Sequence, residues 1–249
     1  MKIYDAHIHV GQFREDYTTS DEVVDFLTSV GVERFAASSS SSCDGNTLRA
    51  LPEMVRLVER AGDKVVPVLW LCPEWLEDGT IYEMLNSGIE WRCVKVHGYF
   101  HRWEERPDLL DKAIDLARKW EVPLLFHTGG REESDAGSYM DVIKKNEDVT
   151  FVLAHCRPVD QAIAVMKACP NCYGDTAFTP TEDVAEMIKE GLADRIMFGT
   201  DYPLHITFYP DNNHQEMYGK IIQDFQQVMS EEDWEKVSYR NFEKVFKIC

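Results

Sequence analysis

Short apolar runs alternate with amphipathic stretches along the whole chain. The runs are KIYDAHI near residue 2, ERFAAS near 33, KVVPVLWL near 64 and EWRCVKV near 90. VPLLFH near 122, TFVLAH near 150, CYGDTAF near 172 and RIMFGT near 195 complete the set. Each has strand length and is rich in Val, Ile, Phe or Leu, the composition of parallel strands buried on both faces. Between them TSDEVVDFLTSVG, NTLRALPEMVRLVERAG, PDLLDKAIDLARKW, VDQAIAVMKA and TPTEDVAEMIKEG carry helical spacing with Ser, Asp or Pro at the start or Gly at the end. Pro52 predicts a kink or a late start in the second of these. TIYEMLNSG and YMDVIKKN predict two shorter helices.

Strand then helix recurs eight times, roughly every 22 to 32 residues, with no Pro- or Ser-rich linker between units. Such alternation builds a parallel sheet with crossover helices, and eight units in 249 residues match a closed (β/α)8 barrel. The expected fold is therefore an α/β TIM barrel forming a single domain over residues 1–249. An open doubly wound sheet is the runner-up, but no G-x-G-x-x-G follows the first strand, which argues against its dinucleotide-binding form.

Composition narrows the partners. A net charge of −18 disfavours nucleic acid and anionic membrane surfaces, both of which need clustered Lys and Arg. No apolar run approaches the ~20 residues that span a bilayer, and the opening lacks a signal-peptide pattern. Seven cysteines without framework spacing predict reduced thiols in a cytoplasmic setting. Cys169 and Cys172 have C-x-x-C spacing but supply only half of a tetrahedral zinc site, so coincidence is the expectation.

In a barrel of this type the loops after the strands share one face, where active sites are built. The first strand ends in His7 and His9, which as i and i+2 in an extended segment point the same way, and Asp5 would join them if the extension reaches back that far. The fourth strand offers Lys95 and His97, the fifth His127, the sixth His155, the seventh Asp175 and the eighth Asp201. One strand-end histidine is most simply a hydrogen-bonded core residue. His7, His9, His127, His155 and Asp201 together, from four strands on one rim, predict a site for a divalent transition metal such as zinc. Such an ion lowers the pKa of its water from 15.7 to near ~7, and an adjacent carboxylate can move the proton. His101, His205 and His214 fall in loops beyond the strand ends and are given no ligand role.

These motifs, DAHIH, VKVHG, LLFHTGG, VLAHCR, YGDTAF and FGTDYP in order from residue 3 to about 205, resemble the amidohydrolase superfamily. The likeness is greatest to its second family, which includes aminocarboxymuconate-semialdehyde decarboxylase-like enzymes; VSYRNFEKVF resembles that family's C-terminal helix. The resemblance implies that His7, His9 and Asp201 bind the metal, with His127 a further ligand. It implies that His155 binds a second ion or acts as acid/base and polarises a substrate carbonyl, and that Asp201 doubles as general base. Lys95 would bridge two metals if carboxylated; otherwise it is an amine contacting substrate.

Lys95, Arg102, Arg131 and Arg157 stand at or just beyond strand ends of an acidic chain, and Arg pairs carboxylates in bidentate fashion. A carboxylated substrate held by Arg157, Lys95 and Arg131 is the expectation, against surface ion pairs as the plainer reading. GYFHRWEERP is expected to wall the pocket or pack against another subunit, and HTGGREESDAGS to be a mobile rim loop. The serine run Ser38–Ser42 is expected as a solvated loop or a pocket lining. The function expected is a metal-dependent hydrolase of an amide, ester or lactone bond in a small molecule, with one or two ions. A decarboxylase on the same scaffold is the alternative, followed by a non-catalytic metal binder; a homo-oligomer is left open.

Overall fold

The computed structural model describes residues 2–248. Nine strands form one sheet: β1 Tyr4–Phe13, β2 Asp16–Thr18, β3 Arg34–Ser39, β4 Val65–Trp70, β5 Cys93–Val96, β6 Leu124–His127, β7 Phe151–Ala154, β8 Cys172–Asp175 and β9 Ile196–Met197. Their order is β2-β1-β3-β4-β5-β6-β7-β8-β9, parallel throughout except for the β1–β2 pair. The eight apolar runs are the eight parallel strands of a TIM barrel. The ninth strand is the departure. The first segment runs past the polar cluster to Phe13, turns at Arg14–Glu15, and pairs back with Phe13 opposite Asp16.

Side-chain alternation divides the core in two. Tyr4, Ala6, Val66, Val68, Cys93 and Leu125 point into the barrel. Ile8, Val10, Phe35, Val94 and Phe126 point outward onto helices that present Leu27, Leu57 and Ile114. A register slip lies between Asp5, opposite Phe35, and Ile8, opposite Ala37. One extra residue reverses the facing of everything beyond it. His7 and His9 consequently point inward, whereas Asp5 points out, and the expectation that Asp5 could join the histidines is corrected.

Asp5 instead closes the cylinder. No ladder joins β1 to β9; the seam is made by Ala6 N–H donating to the Phe198 carbonyl (2.8 Å), Asp201 N–H to His7 (2.8 Å) and His9 N–H to Tyr202 (2.7 Å). The Asp5 carboxylate accepts from His7 N–H (3.0 Å), Thr200 N–H (3.1 Å), the Thr200 hydroxyl (2.6 Å) and the Tyr218 hydroxyl (2.7 Å). Burial pushes its carboxyl up to about 6 while these donors pull it back.

The other end of the barrel is stoppered by the C-terminal segment, as the expected extra helix. After a π-turn at Lys236–Arg240, the helix Asn241–Phe246 packs Phe242, Val245 and Phe246 into the inner core. Asn241 ties it down by donating to the carbonyls of Ala193 (2.8 Å) and Ile196 (2.7 Å).

Two local expectations are corrected. The helix Thr47–Ala61 contains Pro52 in its interior, so of the kink or late start expected there the late start is excluded. The serine run is not solvated: Ser38–Ser42 are all buried, and Glu53 accepts from Ser39 (2.5 Å) and Ser41 (3.0 Å) while Ser40 donates to Val10 (3.0 Å). HTGGREESDAGS folds into 3-10 turns at Glu132–Ser134 and Ala136–Tyr139. Cys169 and Cys172 are buried free thiols. No helix among the described residues is long and apolar enough to cross a membrane.

Replacing Asp5 by Ala strands two backbone and two hydroxyl donors in the seam, so urea denaturation should show a loss of about 3–5 kcal/mol, and Tyr218→Phe a loss of about 1–2 kcal/mol. A change below roughly 0.5 kcal/mol for Asp5→Ala would mean that closure does not depend on this carboxylate.

Candidate active site

The inward positions at the C-terminal ends of the strands bring the predicted residues to one floor. His7 and His9 come from β1, Lys95 from β5 and His127 from β6. His155 directly follows β7, and Asp201 lies beyond β9. His155 and Asp201 hold left-handed backbone angles, φ +69° and +64°, which L residues keep only where the surroundings over-determine them. Gly199 lets the β9 chain pass close: a Cβ there would lie 3.2 Å from His7 Cβ.

Hydrogen-bond partners fix which ring nitrogens carry protons. His7 Nδ1 lies 2.9 Å from an Asp175 carboxylate oxygen, so Nδ1–H donates and Nε2 keeps its lone pair. His155 Nδ1–H donates to the Ala177 carbonyl (2.9 Å), leaving Nε2 as an acceptor. That acceptor meets His127 Nδ1 at 3.1 Å, which makes His127 Nδ1 the donor. His9 Nδ1 pairs with the Ser38 hydroxyl at 3.2 Å. Asp175 also accepts from the backbone N–H of His155 and Ala177, each at 3.0 Å, and so organises two of the histidines at once.

The Nε2 atoms of His7 and His9 face the Asp201 carboxylate. Asp201 Oδ1 lies 3.0 Å from His9 Nε2 and 3.3 Å from His7 Nε2, and it is buried without a hydrogen-bond partner. The ligand atoms of His7, His155 and Asp201 lie within 4.8 Å of one another. Acceptors crowded together in a dry site require a cation between them. Lys95 Nζ supplies one charge, 2.9 Å from His7 Nε2 and 3.3 Å from His9 Nε2, above the Trp70 ring at 4.3 Å. The donor set, imidazole nitrogens and a carboxylate, each imidazole backed by a hydrogen-bond partner, fits a divalent transition ion.

Burial sets the charge states. It drives His9 down to about 3, with Lys95 adding to the effect, and His155 down to about 4 against the pull of Asp201. His127 and His97 are likewise pushed well below the usual imidazole range by burial. For Asp201 burial acts upward, but His7, His9 and His155 outweigh it and hold the carboxyl well below the usual range. Lys95 falls to about 8 through burial, opposed by Asp201. Near neutral pH His9, His127 and His155 are therefore neutral, Asp201 is ionised and Lys95 is poised to lose its proton.

Above this floor opens a cavity of about 280 Å³, lined by His9, Lys95, His127, His155 and Asp201 below and by aromatic rings toward the mouth. Trp70, stacked on His97 (4.9 Å), and His97, stacked on His127 (3.6 Å), form one wall. Tyr99 and Phe100 from GYFHRWEERP line it as well. Arg157 reaches the cavity and donates to the Phe178 carbonyl (2.7 Å). Arg131 is instead drawn to Glu104 (2.7 Å) and Glu133 (3.3 Å), and Arg102 to Glu105 (3.0 Å); neither lines the cavity. His101, His205 and His214 are in helices, not loops, and stand apart from the lone-pair cluster. The orienting roles of Asp175 and Ser38 had no signal in the sequence beyond a polar residue at a strand end, because orientation is a pairwise property.

The family model described as Amidohydrolase matches residues 4–248 of the chain. An amidohydrolase from Burkholderia multivorans with bound Zn superposes with a TM-score of 0.72, 10% identity and 100% coverage of both chains. A probable 2-pyrone-4,6-dicarboxylic acid hydrolase from Acinetobacter baumannii with citric acid bound gives 0.68, 11% and 100% of both. A 4-oxalomesaconate hydratase from Rhodopseudomonas palustris gives 0.63 and 10%, covering 98% of this chain and 95% of that one. At these identities the likeness is one of fold. No curated protein sequence matches the chain.

Asp175→Asn keeps the shape but removes the carboxylate that holds the His7 and His155 environment. Isothermal titration of the metal-free protein with Zn²⁺ should give about 10–100-fold weaker binding than the parent protein. Equal affinities would mean that Asp175 has no part in aiming His7.

Proposed function

Because this chain belongs to the amidohydrolase family, we propose that it is a metal-dependent hydrolase that splits an amide, ester or lactone bond in a small carboxylated substrate. The observation that carries this reading is the buried, unpartnered Asp201 Oδ1 set among imidazole lone pairs at the floor of an aromatic-walled cavity. His7, His9 and Asp201 would hold the ion, and His155 would join them through Nε2 only on giving up the hydrogen bond it accepts from His127. Zinc is the ion the nitrogen-rich donors favour. Lys95 would join as a second-ion bridge if carboxylated, a reaction that needs the neutral amine its burial promotes. When bound, the ion supplies an acidified water and a Lewis acid for the scissile carbonyl.

The chain's own groups do the rest. Asp201, ionised and aimed at the floor, accepts a proton from the attacking water and returns it to the leaving group. His155, protonated only on Nδ1, offers Nε2 as an acceptor beside it. The rings of Trp70, His97 and Phe100 exclude water from the reacting atoms, which strengthens every charge inside. The Arg157 guanidinium fixes the substrate carboxylate so that the scissile bond meets the floor. A carboxylated substrate is also in keeping with the relative named as a dicarboxylic acid hydrolase. The free thiols suit a reducing, cytoplasmic setting.

Screening lactones, esters and amides that carry a carboxylate should reveal turnover that Asp201→Asn lowers in kcat by about 10²–10⁴-fold. Arg157→Ala should raise KM at least about tenfold on the same substrate. Release of carbon dioxide in place of a hydrolytic product would replace the hydrolase reading by a lyase. An unchanged KM in Arg157→Ala would remove the carboxylate assignment.

A further inference from the structure

We propose that His205 and His214 form a second, exchangeable site for a divalent transition ion, apart from the cavity floor, that staples the rim helix Leu204–Phe208 to the helix His214–Gln227. The inference does not depend on the hydrolase reading. His205 is only 2% exposed, yet neither of its ring nitrogens has a hydrogen-bond partner. It is the one histidine among the described residues left so at both nitrogens. His214, half-buried at the start of the next helix, has its Nδ1 buried and unpartnered as well. A neutral imidazole carries a donor on one nitrogen and a lone pair on the other, and burying either is costly unless something meets it.

Other close imidazole pairs in the molecule have a visible reason to be close. His97 and His127 stack, with ring centres 3.6 Å apart and planes at 14°. His127 and His155 share a direct hydrogen bond of 3.1 Å. His205 and His214 do neither: their centres lie 5.1 Å apart, their planes are inclined at 52°, and no hydrogen bond joins them. That relation suits a shared ion. A ring nitrogen sits about 1.1 Å from its ring centre and binds zinc at about 2.0–2.1 Å, so a tetrahedral ion holds two ring centres about 5 Å apart. His7 and His9, whose Nε2 atoms both face Asp201, stand in nearly the same relation, 5.2 Å and 58°. Burial, with His214 adding to it, lowers His205 to about 4, so its lone pair is free at neutral pH. Imidazole donors select zinc, copper or nickel over calcium or magnesium. With two protein ligands, fewer than a closed structural site has, the remaining positions fall to water and the ion stays exchangeable.

The two histidines bracket an exposed loop, residues 209–213. On one side the rim helix contributes Leu204 and Phe208 to the cavity lining. On the other, Tyr218 stands one turn after His214 and donates its hydroxyl to Asp5 (2.7 Å), fixing that helix to the barrel seam. An ion at His205 and His214 therefore ties a wall of the cavity to the rigid frame.

The test dialyses the purified full chain and two variants, His214→Gln and His205→Leu, to equilibrium against the same excess of Zn²⁺ and counts the bound zinc. The parent protein should hold one equivalent more than either variant. With a chelator present, His214→Gln should keep the parent Tm, and His205→Leu should keep or raise it because an unpartnered buried ring gives way to an apolar side chain. Folding is thereby checked apart from binding. Zinc should also slow hydrogen exchange across residues 204–214 more in the parent than in either variant. A zinc count that either substitution leaves unchanged, as when water alone meets these nitrogens, overturns the proposal, and so does exchange that zinc slows equally in all three proteins. A floor that takes no zinc would lower all three counts alike, so failure of the hydrolase reading leaves this difference intact.

Discussion

One extra residue in the first strand governs the rest of the molecule. Between Asp5 and Ile8 the register of β1 against β3 slips, and the two faces of the strand exchange. Before the slip the acidic side chain faces the outer layer, where it accepts four hydrogen bonds and closes the seam between first and last strands. After it the two imidazoles face the interior, where the floor of the site lies. Without the slip, a period of two would put Asp5, His7 and His9 on one face and leave the seam without its acceptor. Closure and site are thus two consequences of a single local irregularity.

The seam also transmits position. His7 donates its backbone N–H to Asp5, receives Asp201 N–H at its carbonyl, and anchors its ring on Asp175. The ends of β8 and β9 are thereby referred to one residue of β1. This matters because the floor is internally repulsive: acceptors face acceptors, and burial forbids water from intervening. Acceptors held this close without water call for a positive charge among them. Lys95 meets part of that demand, and its burial beneath the site makes the proton it carries easier to lose.

Much of this was legible in the sequence, for identifiable reasons. Eight apolar runs separated by capped amphipathic stretches specify a parallel sheet covered on both faces, and eight strand–helix units in 249 residues match its closed form, the barrel. His7, His9, His127, His155 and Asp201 could be placed on one rim because strand ends of a barrel share a face. What escaped was non-local. The β1–β2 hairpin lacks the Gly or Asn that marks such a turn, having Arg14 in the left-handed conformation instead. The serine run looked solvated because its partner, Glu53, comes from a helix and becomes an acceptor only once folded. Arg131 and Arg157 are equivalent in sequence, each two to four residues past a histidine, and only the fold shows that acids capture the first and leave the second at the cavity.

The central claim is that lone pairs from His7, His9 and Asp201 surround one cation. Crystals grown with zinc, with anomalous diffraction recorded on either side of its absorption edge, test this most directly. The account predicts a peak about 2.0–2.3 Å from His7 Nε2, His9 Nε2 and an Asp201 carboxylate oxygen. A fully zinc-loaded protein whose anomalous peak lies elsewhere, such as on Cys169 and Cys172, with the Lys95 ammonium filling the floor alone, would contradict it.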